Sequence, residues 1–149
     1  MINLALDMSE QVLTEELLKE LLSRPNVEEF IDEKDLQEQS FSDCLNELMG
    51  SKSLTKSDVI HSTNLNETHA YQMFSGQRGA SRNKVLQIAF AMHLNLKETN
   101  KLLHSAGVSS LYCKDKRDAI IIFSIENNYT LQQIDEQLYK FQQETLSTE

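Results

Sequence analysis

The chain has 149 residues, 40% of them hydrophobic, with four glycines, one proline and no tryptophan. That is the size of one compact domain or of a domain with an appendage, and it excludes extended disorder and a large multidomain enzyme. Its formal charge of −9 argues against nucleic acid if the acids are evenly spread, because phosphate binding relies on clustered Lys and Arg.

The acids are not evenly spread. Residues 1–50 carry 3 basic and 13 acidic side chains, residues 51–105 carry 7 and 3, and residues 106–149 carry 4 and 7. The middle third is a basic island between acidic flanks, and His61, His69, His93 and His104 all fall inside it. Unbroken apolar runs such as Ala119 to Phe123 are far shorter than the roughly 20 residues of a membrane helix. Met1 to Leu6 lacks the basic start of a signal peptide, so the expectation is a soluble, cytoplasmic protein with no membrane partner. Cys44 and Cys113 lack CxxC spacing, so both are read as buried thiols. The four histidines share no ligand spacing, so neither a metal nor another cofactor is expected.

Apolar residues recur at three- and four-residue steps, and the fold class is read as all-α. A first helix begins near Ser9, carries the stripe Val12, Leu17, Leu18, Leu21 and Leu22, and ends at Ser23-Arg24-Pro25-Asn26. An acidic helix follows over Val27 to Glu38. Phe41, Cys44, Leu45, Leu48 and Met49 mark a third helix, capped by Ser40 or Ser42 and stopped at Gly50. Thr55-Lys56-Ser57-Asp58 has the form of a capping box and opens a short helix with Val59 and Ile60 inward, ending near Ser62. After the turn Thr63-Asn64-Leu65, Asn66 caps a helix burying Ala70, Met73 and Phe74, which Gly76 and Gly79 end. Ser81 caps an apolar helix with Val85, Leu86, Ile88, Ala89, Phe90 and Met92. Asn95 to Glu98 lead into a helix with Leu102, Leu103 and Ala106. Two more helices, around Arg117 to Glu126 and Leu131 to Phe141 with Thr130 as cap, complete the chain.

The stretch Thr55 to Ala106, with Phe41 to Gly50 as first helix, resembles the helix-turn-helix domain of the lambda-repressor-like (XRE, Cro/cI) family. The resemblance is carried by Thr55-Lys56-Ser57-Asp58-Val59, Asn64-Leu65-Asn66, Phe74-Ser75-Gly76-Gln77-Arg78-Gly79-Ala80-Ser81, Val85-Leu86-Gln87-Ile88-Ala89 and Leu94-Asn95-Leu96-Lys97-Glu98. Ile60 stands where the family has a small alanine, Asn64 where it has a turn glycine, and Ala80 where proline is common. Asparagine, like glycine, enters the left-handed region that such a turn uses. The resemblance implies a five-helix DNA-binding domain over 41–107, between an acidic helical segment over 1–40 and a two-helix extension over 108–149.

In such a domain the helix near residues 66–75 lies in the major groove of double-stranded DNA. With Ala70, Met73 and Phe74 inward, Glu67, Thr68, Tyr71 and Gln72 face outward as base-reading candidates. Gln72 can pair with adenine through two hydrogen bonds, Thr68 can meet a thymine methyl, and Glu67 can accept from cytosine N4. Glu67 is equally read as a solvated acid favouring the helix dipole. His69 is divided between groove contact and packing. Phosphate contacts are assigned to Lys56, Ser75, Gln77, Arg78, Arg82, Asn83 and Lys84, aided by backbone amides at helix starts.

No GxSxG, HExxH or phosphate-cradling glycine loop is present, so no enzyme is expected. The expected function is a sequence-specific transcriptional regulator, a repressor, that pairs as a homodimer through surplus apolar residues of the C-terminal helices. The acidic N-terminus is either a solvated face or a surface for a protein partner or for the basic island. The alternative is an adaptor or antitoxin-like regulator that keeps the fold with weak or no DNA binding.

Overall fold

A computed structural model of the chain describes residues 15–34 and 39–147, and every regular element among them is a helix. Two compact units divide the chain, Met1–Glu38 and Gln39–Glu149. No helix among the described residues is long and apolar enough to cross a membrane.

In the first unit, helix α1 (residues 15–23) ends where the Ser23 hydroxyl donates to the Glu20 carbonyl at 2.8 Å. Asn26 then caps α2 (Val27–Lys34), its Oδ1 accepting from the Glu29 amide at 3.0 Å. The expected start near Ser9, the stripe residue Val12 and the continuation of α2 to Glu38 lie outside the described residues. Of the expected stripe, Leu17, Leu18 and Leu22 are exposed at 44%, 53% and 76%, whereas Phe30 is buried. Spacing along a helix places residues on one side, but burial requires a neighbouring element to cover that side.

The second unit contains α3 (Phe41–Ser51), α4 (Lys56–His61), α5 (Glu67–Ser75), α6 (Arg82–Ala91), α7 (Leu96–Ser105), α8 (Lys116–Glu126) and α9 (Leu131–Lys140). Side-chain oxygens of Ser40, Thr55, Asn66, Ser81, Asn95, Asp115 and Thr130 each accept from the amide three residues on, satisfying donors a helix start leaves unpaired. Asn95 with Glu98 and Thr130 with Gln133 form reciprocal capping boxes. Gly50, expected as a stop, lies inside α3, whose cap is Lys52. Lacking a demand for left-handed backbone there, the glycine simply continues the helix.

Helix α3 packs on α5 and α7, α4 on α5 and α6, and α6 on α7 and α9; α7 meets α8, and α8 meets α9. Leu45, Leu86, Leu102, Leu103, Ile121, Ile134 and Leu138 are all fully buried in this one core. Each contributes about 1.5–3 kcal/mol relative to an exposed position. The C-terminal helices therefore pack into the same compact unit as α3–α7.

Polar contacts bind them as well. Arg82, at the first turn of α6, grips Asp118 of α8 with two parallel hydrogen bonds of 2.8 Å, and also donates to the carbonyls of Ser109 at 2.9 Å and Ser110 at 3.0 Å. The Tyr112 amide donates to the same carboxylate at 3.0 Å. Burial disfavours the Asp118 charge, but the Arg82 hydrogen bonds and charge outweigh it and hold the carboxyl below the usual carboxylate range. Arg117 donates to Asn83 Oδ1 at 2.7 Å and to the Glu144 carbonyl at 2.9 Å.

Cys44 is buried, and burial pushes its thiol pKa up, so it packs as an unreactive side chain. Cys113, expected to be buried, is exposed, because the α7–α8 link runs over the surface.

Asp118→Asn leaves the Arg82 charge without its counter-ion and is expected to destabilise the fold by about 3 kcal/mol at pH 7 in urea titrations. Because Asp118 ionises more readily when folded, its stabilisation is present above the unfolded pKa of about 3.9 and lost as pH falls through the lower folded value. The difference between wild type and variant should therefore narrow below about pH 4.

Candidate nucleic-acid interface

Helix α5 is short, and its apolar residues are confined to one side. Ala70, Met73 and Phe74 are buried, which leaves Glu67, Thr68, Tyr71 and Ser75 exposed and His69 and Gln72 half-buried. Asn46 of α3 donates to the Phe74 carbonyl at 3.0 Å, which ties the end of α5 to its neighbour. Gly76 caps α5 with φ 85°, in the left-handed region, and a Cβ added there would lie 3.1 Å from Ser42 Oγ. Only glycine meets both demands without strain.

The polar groups of the face are interlinked. Arg78 Nε donates to Gln72 Oε1, and the amides of Gln77 and Arg78 donate to the Gln72 carbonyl at 2.9 and 3.2 Å. The Ser75 hydroxyl donates to that carbonyl too, at 3.1 Å. Lys56 Nζ lies 5.9 Å from the centre of the Phe74 ring. His69 Nε2 and Lys84 Nζ are 3.3 Å apart, so His69 is engaged with α6 as well as with α5. At the start of α5, Glu67 lies 4.0 Å from His61 Nε2, and both are well exposed.

Among the expected phosphate contacts, Lys56, Ser75, Gln77 and Arg78 are exposed and Lys84 is half-buried beside His69. Arg82 and Asn83 are engaged within the chain, with Asp118 and Arg117 respectively. Three elements that sequence reasoning passed over stand out: Asp118, Arg117 and the buried Gln87. The last carried a signal, a lone amide within the apolar run Val85 to Phe90.

Asn64 also departs from expectation. Among the described residues, those with positive φ are Ser53, His93, Asn128 and Gln142 besides Gly76 and Gly107, and Asn64 is not one of them. The α4–α5 turn is instead held by side chains, the Asn64 amide donating to Gln87 Oε1 at 3.1 Å and the Thr63 hydroxyl to the Ile60 carbonyl at 2.7 Å. Ile60 is buried at that junction.

Protein-family models, curated proteins and solved structures were all compared with this chain, and none matches it. Among the described residues, no group of three His, Cys, Asp or Glu side chains could hold a metal ion.

Gly76→Ala is expected to cost about 1–2 kcal/mol through the left-handed φ alone. Gly79→Ala, whose Cβ would meet nothing within 4 Å and whose φ is unstrained, should stay within about 0.5 kcal/mol of wild type. Paired thermal melts check the contrast.

Proposed function

We propose that the chain is a sequence-specific DNA-binding regulator of the lambda-repressor-like (XRE, Cro/cI) helix-turn-helix kind, in which α4 and α5 form the paired helices and α5 reads the major groove. The observation that carries this reading is the division of α5. Its apolar residues are all enclosed, while Thr68, Tyr71 and Gln72 present hydrogen-bonding groups along the opposite side. Lys56, Arg78 and Lys84 lie beside α5, against Phe74, Gln72 and His69 respectively, in a chain whose other thirds are acidic. Gln72 suits adenine and Thr68 a thymine methyl, while Arg78 serves a phosphate and steadies Gln72. Occupation of a promoter by this domain represses transcription by excluding other proteins.

A specific observation favours a second reading, the adaptor or antitoxin-like regulator. With Arg82 and Asn83 engaged internally, the phosphate-contacting set is smaller than the sequence suggests, and Glu67 adds an exposed negative charge at the start of α5. A full-length chain that retains no duplex from a random pool at low salt supports the adaptor.

Selection from random duplex DNA followed by titration tests the first reading. Gln72→Ala and Thr68→Ala are each expected to weaken cognate binding by about 1–3 kcal/mol with little effect on random DNA. Arg78→Ala should weaken binding to all sequences and lower the salt slope by about one unit, with an added loss on the cognate site because Gln72 is released. Equal losses for every variant on both DNAs would remove the base-reading assignment.

One α5 reads few base pairs, so pairing on two half-sites completes the reading. Phe123 of α8, Tyr139 of α9 and Phe141, which caps α9, are exposed at 43%, 80% and 42%, and they supply the surface for a second copy. Light scattering at micromolar concentration is expected to show a dimer; a monomer both free and on DNA refutes this pairing.

A further inference from the structure

The chain after α9 turns back toward the α4–α5 turn. Gln142, with φ 60°, starts the reversal, and the Gln143 amide donates to the Leu138 carbonyl at 2.8 Å. Leu146 is then fully buried. Its amide donates to Asp135 Oδ1 of α9 at 2.6 Å, and its carbonyl accepts from Gln87 Nε2 at 2.8 Å.

Gln87 is only 1% exposed, and its other amide atom, Oε1, is the acceptor for the Asn64 amide in the turn. Asn64 in turn donates through Nδ2 to Ser147 Oγ at 2.8 Å, and Ser147 donates to Asp135 Oδ2 at 2.6 Å. Asn64, Gln87, Leu146, Asp135 and Ser147 thus close a ring of hydrogen bonds between parts of the chain as much as 83 residues apart.

The buried group is the Gln87 side chain, whose carbonyl and amino ends must both find partners, and it finds one in the Asn64 amide of the turn, through a partly buried hydrogen bond, and the other in the Leu146 carbonyl. The Leu146 carbonyl sets its orientation, since an amide side chain held at one end can still rotate. The turn conformation that aims α5 is therefore coupled to the C-terminal residues.

We propose that the strap formed by residues 142–147, acting through Gln87, positions α5 for base reading. The strap touches no DNA; it acts by limiting the α4–α5 turn to one conformation. This inference rests on the DNA-reading role of α5 given above, and it adds Gln87, Leu146 and Ser147 as positioning residues for that role.

Hydrogen exchange followed by NMR on the full-length chain tests it without DNA. Ser147→Ala opens the ring while leaving the core intact, and Leu146→Ala withdraws the anchor. Both should speed exchange of the Asn64 amide by about fivefold or more relative to the Phe90 and Leu103 amides. On a selected cognate duplex, both should lower affinity by about fivefold while the salt slope and the affinity for random DNA stay at wild type. Ser147→Thr, which keeps the hydroxyl, should restore both readouts.

Unchanged exchange at Asn64 overturns the strap's hold on the turn, whatever the DNA result. Exchange that rises equally at all amides overturns it as well, because that is a loss of global stability. Faster exchange at Asn64 with undiminished cognate affinity overturns the positioning role. A wild-type chain that selects no DNA overturns the reading of α5 itself, and with it this role, through an experiment separate from the exchange measurement.

Discussion

The ion pair between Arg82 and Asp118 governs how the larger unit is put together. A helix start ordinarily offers its amides and nearby cations to an external anion, yet here the guanidinium is turned to a carboxylate within the chain and to two backbone carbonyls. Parting α8 from α6 would give up these charge-assisted hydrogen bonds, and with them the apolar cover that the C-terminal helices share with the rest of the unit. The C-terminal helices are consequently structural partners of α3–α7. Their presence sets where the strap after α9 can lie.

The same pair shapes the electrostatics around α5. With Arg82 engaged, the positive field near this helix comes from Lys56, Arg78 and Lys84, and each is steadied by a neighbour: the Phe74 ring, the Gln72 amide and the His69 imidazole. These held cations stand out in a chain whose net charge is −9. Glu67 places an exposed negative charge at the start of α5, so the charge along the helix is graded rather than uniform.

Helix α5 itself is located by contacts at both ends. Asn46 and Gly76 fix its C-terminal end against α3, while the side chains around Asn64 fix the turn before it. In place of a glycine adopting a left-handed turn, a buried glutamine supplies the acceptor. The arrangement exchanges a local backbone solution for one that depends on distant residues.

By itself the sequence determined the features that depend on neighbours within about one helical turn. Thr55, Asn66, Ser81 and Thr130 cap helices where their spacing to the next apolar run implied, and Ser40 is the cap of the two serines offered for α3, because a cap needs only the amide three residues on. The buried side of α5 was legible for the same reason. Tertiary structure decided the rest. Arg82 found its carboxylate 36 residues away and Gln87 its carbonyl 59 residues away, distances at which no periodicity carries information. Leu17 and Leu22 had the spacing of a core stripe, yet burial depends on the surface a neighbouring element supplies, and theirs remained exposed. Helix ends are local hydrogen-bonding problems, whereas burial, ion pairing and the aim of α5 are set by what the folded chain brings alongside.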